Sequence, residues 1–167
     1  MIYKTLLGSF LTLSITGAAF ADSIVIDDKV AFAKNAEIRQ AVRDECQLEE
    51  KFTQFLDEYI SDQDITVVTA NSDKAKGINK RLHIEIDRVE GGGGGAWSGG
   101  KMVHAVGSLK ENGKIIGSFK VQRTSGGGAF GAFKGTCSIL GRDVKAMAKD
   151  VSRWIVSPSK DARLGEL

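Results

Sequence analysis

Apolar residues fall at Ile38, Val42, Phe52, Phe55, Leu56, Tyr59 and Ile60, a spacing that predicts a helix over residues 36–61, with Asn35 as its N-cap. Glu37, Asp44, Glu45, Glu49, Glu50, Asp57 and Glu58 occupy its other faces and read as a solvated acidic surface. Residues 22–34, ahead of it, read as a short lead-in. Ile65-Thr66-Val67-Val68-Thr69 is β-branched throughout and predicts a buried strand. After a polar connection from Asn71 to Lys80, the run 82–87 alternates strictly. Leu82, Ile84 and Ile86 share one strand face, and His83, Glu85 and Asp87 share the other.

Two further strands, over 101–110 and 114–124, flank Asn112-Gly113, a dipeptide that favours a two-residue hairpin turn. With that turn, Glu111 lies opposite Lys114, Val106 opposite Phe119 and His104 opposite Val121. Met102, His104, Val106, Ile115, Phe119 and Val121 then share one face, and Val103, Ala105 and Gly107 share the other with Ser118, Lys120 and Gln122. Val144, Met147, Ala148, Val151 and Ile155 predict a closing helix over 139–156, stopped by Pro158, with 157–167 as a loose tail. The expected fold class is α+β, a two-layer sandwich. Its sheet would have about four mainly antiparallel strands, with two helices on one face.

The first 21 residues change the picture of where this fold operates. Lys4 precedes an apolar run from Thr5 to Ala18, and Ala19-Phe20-Ala21 supplies small residues for cleavage, so 1–21 reads as a secretory signal. Residues 22–156 are then a single exported domain, periplasmic or secreted, with no second apolar stretch of membrane-spanning length. No cysteine near the cleavage site offers a point for lipid attachment. Cys46 and Cys137 are the only cysteines, and an oxidising compartment favours a disulfide between them. The formal net charge of +2 over 167 residues sets up no general attraction for nucleic acid.

Several chemistries fail on context. Gly95-Ala96-Trp97-Ser98-Gly99-Gly100-Lys101 approaches a phosphate-binding loop, yet Met102 stands where Ser or Thr is needed and a strand follows in place of a helix. Gly126-Gly127-Gly128-Ala129-Phe130-Gly131 matches a dinucleotide fingerprint, but no later strand carries the acid for the ribose. No cofactor is expected. His83, Glu85 and Asp87 offer a strand face to a metal, which leaves a small metal-dependent hydrolase as an alternative to the reading as a solvated face. His104 reads as a satisfied half-buried histidine. No nucleophile elbow is present, and the two histidines are set apart, so the chain is read as a non-enzyme.

What remains is an arrangement. In a meander, the glycine-rich segments 91–100 and 126–131 meet at one end of the sheet. Trp97, Phe130 and Phe133 lie in or beside them, with Lys101 and Lys134 near. These five are the candidate binding residues, an edge of mobile backbone and aromatic anchors. The plainer reading has the rings capping the core. Residues 99–137 carry six bases against one acid, and 35–64 carry nine acids against three bases. Such a bipolar surface suits an anionic envelope component or self-association into a homo-oligomer.

Ile65-Thr66-Val67-Val68, the run Lys80-Arg81-Leu82-His83-Ile84-Glu85-Ile86, the strand pair around Asn-Gly and the closing helix together resemble small uncharacterised bacterial cell-envelope proteins. The pattern, over about 62–156, is more distantly similar to the N-terminal domain of the translocation protein TolB and to envelope-assembly lipoproteins. The resemblance implies a periplasmic accessory role without catalysis and supplies no site residues. The preferred expectation is a binding or assembly module that meets an envelope protein or an anionic envelope polymer through its glycine-rich end. An inhibitor or immunity-type protein is a further alternative.

Overall fold

The computed structural model describes residues 22–92, 100–125 and 135–167. The export signal read at 1–21 lies outside the described residues, as does most of both glycine-rich segments. The chain runs through β1 (Ser23–Ile26), β2 (Ala31–Glu37), α1 (Gln40–Glu45), α2 (Leu48–Ser61), β3 (Thr66–Thr69), a 3-10 turn (Asp73–Ala75), β4 (Lys80–Glu90), β5 (Lys101–Glu111), β6 (Lys114–Ser125), α3 (Thr136–Val156) and β7 (Ala162–Gly165).

All seven strands join one mixed sheet in the order β3-β1-β4-β5-β6-β7, with β2 also paired to β4. The pairs β4–β5 and β5–β6 are antiparallel, and the remaining pairs are parallel. Of the four expected strands, β4, β5 and β6 form the antiparallel middle of a larger sheet, whereas β3, expected as a buried strand, lies at its edge, pairs in parallel with β1 and buries only Val68. The supposed lead-in supplies β1, a four-residue strand inserted between β3 and β4, in which Ile24, Val25 and Ile26 are all buried. A strand covered on both faces has no polar alternation to announce it.

The single helix expected over 36–61 is corrected too. Asn35 lies within β2, whose Ala31, Phe32 and Glu37 pair with Glu85, Ile86 and Arg88 of β4. The open edge of β4 offers backbone partners that outweigh the helix preference of an Ala-, Lys- and Glu-containing segment. The rest divides at Gln47, whose φ of 51° is left-handed, beside a buried Cys46 bonded to Cys137. The disulfide thus joins the α1–α2 junction to the first turn of α3. The presumed tail is also ordered. β7 pairs in parallel with β6 from Phe119↔Ala162 to Gln122↔Gly165, and the Trp154 indole N–H donates to the Ser159 carbonyl at 3.3 Å.

Asn112 and Gly113 form the expected two-residue turn with φ of 50° and 77°, both left-handed, as a type I′ hairpin requires. Glu111 pairs with Lys114, but Leu109 pairs with Gly117, leaving Ile116 as an extra residue in β6. This bulge slips the register by one. Val106 therefore lies opposite Lys120 and His104 opposite Gln122, which corrects the pairings with Phe119 and Val121. Val103, Ala105 and Leu109 share the buried face with Phe119 and Val121. Gly107 sits opposite Phe119, and a Cβ at Gly107 would penetrate the Phe119 ring. The ring also packs edge-on against Trp154 at 4.7 Å.

α2 and α3 pack against each other, and α3 lies on β5 and β6. Phe52, Leu56 and Ile60 of α2 and Leu140, Val144, Met147 and Val151 of α3 meet Leu82, Ile84, Ile86, Val103 and Val121 in one core. On the opposite face, a small cluster of Val25, Val68 and Ala75 covers β1 and β3. No helix of the described residues is long and apolar enough to cross a membrane.

Candidate functional site

β4 ends at Glu90, β5 begins at Lys101 and β6 ends at Ser125, with Glu90 opposite Met102 and Lys101 opposite Ser125. The flanks of both glycine-rich segments therefore leave from one end of the sheet, as strand parity predicts. The Thr136 hydroxyl, at the start of α3, donates to the Gly92 carbonyl at 3.0 Å. Trp97, Phe130, Phe133 and Lys134 lie outside the described residues. Lys101 stands at this rim fully buried, so it is not presented as a surface cation there.

Beneath the rim lies a polar cluster that no sequence motif marks. The Ser125 hydroxyl donates to Asp143 Oδ1, whereas Asp143 Oδ2 is buried without a hydrogen-bond partner. Burial pushes the Asp143 carboxyl up from 3.8 to about 6, against the opposing pull of the Ser125 hydroxyl and of Arg142 and Arg123. Arg123 is itself committed to Asp150, through bonds of 2.9 and 2.7 Å, and lies 3.7 Å from Glu166.

The face of β4–β7 turned away from the helices holds the other candidates. His83 Nδ1 is 2.6 Å from Asp27 Oδ2, and its Nε2 is 3.9 Å from Glu85. A shift in the β4 register between Ile86 and Arg88 accompanies a different pairing for Asp87, with His104 Nδ1 at 2.5 Å. The sequence register puts His104 on the face away from His83; alternation with the buried Val103 and Ala105, and the β4–β5 register, place it on this one, and the Ile116 bulge brings Lys120 and Gln122 onto the same face. His104 is half-buried and hydrogen-bonded, as read. His83 and Asp87 thus engage separate partners, and no group of three potential metal ligands gathers among the described residues.

A groove of about 630 Å³ crosses this face, lined by Arg88, His104, Val106, Lys120, Gln122 and Arg163, with Ser118 and Asp161 at its side. Among the described bases of the run 99–137, Lys101 alone stands at the rim. Lys110 and Lys114 flank the hairpin turn at the other end of the sheet, Arg123 is neutralised, and Lys120 enters the groove. Its basic companions Arg88 and Arg163 come from β4 and β7. Sequence reasoning missed them because it read Arg163 as part of a loose tail.

No protein-family model matches the chain, and no curated protein does. Solved structures do share its fold. A crystal structure of an uncharacterized protein superposes with a TM-score of 0.52 at 11% identity, covering 81% of this chain and 92% of that one. That likeness shows the fold alone. The PelC dodecamer from Paraburkholderia phytofirmans gives 0.48 at 13% identity, over 77% and 87% of the two chains. A minor lipoprotein from Acinetobacter baumannii gives 0.44 at 9% identity, over 81% and 92%. The similarity to the TolB N-terminal domain rests on the sequence pattern alone.

Proposed function

We propose that the chain is an exported, non-catalytic accessory module of the cell envelope that engages a partner protein at the sheet end from which the two glycine-rich segments leave. The observation that carries this reading is the convergence of those segments' flanks on a rigid frame. Lys101 pairs with Ser125 there, Thr136 holds Gly92, and the Cys46–Cys137 bridge fixes the adjacent turn of α3. A disulfide between the only two cysteines supports an oxidising compartment. The segments that leave this frame carry Trp97, Phe130 and Phe133, the composition of a contact surface rich in anchors.

A photo-crosslinker placed at residue 97 or 130 in living cells tests the reading, with residue 112 at the opposite sheet end as control. One recurrent partner is expected from the first two positions and not from the third. Replacing Trp97→Ser and Phe130→Ser together should abolish its capture while shifting Tm by less than about 3 °C, the scale of a surface substitution. A Tm loss of about 10 °C or more would make the rings core caps and end the proposal.

A further inference from the structure

The groove lies on the open sheet face, and its chemistry differs from that of the glycine-rich segments. Its registers place residues in rungs across four strands. Glu85, Val106, Lys120 and Arg163 form one rung, and Arg88, His104, Gln122 and Gly165 form the next. Lys120 and Arg163 are therefore direct cross-strand neighbours on strands about 4.8 Å apart. Like charges so placed repel and destabilise the pairing unless a counter-charge sits between them.

Among the described residues, no carboxylate stands within ion-pair distance of these cations. None of the ion pairs among the described residues involves Lys120, Arg163 or Arg88. The carboxylates on this face are directed to other partners: Glu85 lies 3.9 Å from His83, Asp87 holds His104 at 2.5 Å, and Asp161 accepts from the Ser118 hydroxyl at 3.2 Å. Arg123, on the other face of the same strand as Lys120, shows the contrast. It is bound by Asp150 and approached by Glu166. The helix face of β6 neutralises its cation, whereas the groove face leaves three exposed cations unneutralised.

The geometry points to the groove as a binding site for an acidic glycan segment, an oligosaccharide that carries carboxylates along its length. The volume of about 630 Å³ suits a ligand of several rings and far exceeds a lone anion. Lys120 and Arg163 meet one carboxylate. Arg88, two strands across and one rung along, stands about 12 Å from Lys120 by strand spacing and meets another. A guanidinium grips a carboxylate through two parallel hydrogen bonds. Between the cations, the Gln122 amide and His104 Nε2 can bond sugar hydroxyls, and Val106 gives an apolar floor to a ring.

The test is calorimetric titration of the purified protein with hexagalacturonate, with a neutral hexasaccharide and polyphosphate as comparison probes. Hexagalacturonate should bind and weaken steeply with salt, and the neutral sugar should not bind. Lys120→Gln with Arg163→Gln, exposed changes that spare the fold, should weaken binding by about tenfold or more, and Arg88→Gln by several-fold. Lys110→Gln with Lys114→Gln, which removes the same charge at the hairpin end, should change it less than about twofold. Absence of hexagalacturonate binding, or equal losses from the groove and hairpin variants, would overturn the site. Tighter binding of polyphosphate, lost in the groove variants, would overturn the assignment to a glycan. Partner capture through residues 97 and 130 is read separately, so either proposal can fail alone.

Discussion

Asp143 sets a pH dependence by itself. Its carboxyl is buried, takes one hydroxyl from Ser125 and leaves Oδ2 without a partner, and burial holds it near 6 against 3.8 in an open chain. Between those values the folded chain binds the proton more tightly than the unfolded one, so stability rises as pH falls from about 6 towards 4. Above 6 both states are ionised, and the folded state carries the whole cost of a buried charge, about 3 kcal/mol for a shift of this size. Asp143→Asn keeps the shape and an acceptor for Ser125 without the charge. Urea unfolding should find the variant more stable by about 1–3 kcal/mol at pH 7.5, with the gap closing near pH 4. An equal gap at both pH values would assign the effect to packing. No residue spacing could have revealed this site, because Ser125 and Asp143 meet only when β6 runs under α3.

At the scale of elements, what was legible followed how each segment is buried. β4 has one face covered, so Leu82, Ile84 and Ile86 alternate cleanly with polar neighbours, and α3 carries an apolar stripe; both were readable. β1 is buried on both faces and β2 hardly at all, so neither has a period of two. Ile116 looks like any strand residue, yet as a bulge it decides which residues of β6 share a face with Val106 and His104, and with it the composition of the groove. β7 is the largest omission, because Ala162-Arg163-Leu164-Gly165 has no strand signal apart from its pairing. That pairing predicts a cost for losing it. Ending the chain at Ser157 removes the ladder to β6, the half-buried Leu164, the Trp154–Ser159 bond and the Glu166 carboxylate that accepts from the Thr124 amide at 2.8 Å. Urea unfolding should register a loss of about 2 kcal/mol or more. A loss under about 0.5 kcal/mol would mean that β7 frays in solution.

For the whole molecule, the deciding connection is the Cys46–Cys137 bridge, which spans 91 residues of sequence. Between its ends the chain builds α2, β3, β4, β5 and β6, so the bridge closes a loop around most of the sheet. In the chain-entropy account, a closure of this length stabilises by about 4 kcal/mol through restriction of the unfolded chain. Cys46→Ala with Cys137→Ala should therefore lower the unfolding free energy by roughly that amount, or less if the unfolded chain stays compact. The bridge also acts locally. Cys137 follows Thr136, which holds Gly92, and Cys46 sits beside the left-handed Gln47 that separates α1 from α2. Cutting it should release these two junctions ahead of the antiparallel centre, which is held by its own ladder and by α3. Amide hydrogen exchange is expected to speed up first around 46–48 and 136–140, with β5 and β6 still protected. Uniform acceleration across the sheet would show that the bridge works only through the unfolded state, and that the glycine-rich end gains no rigidity from it.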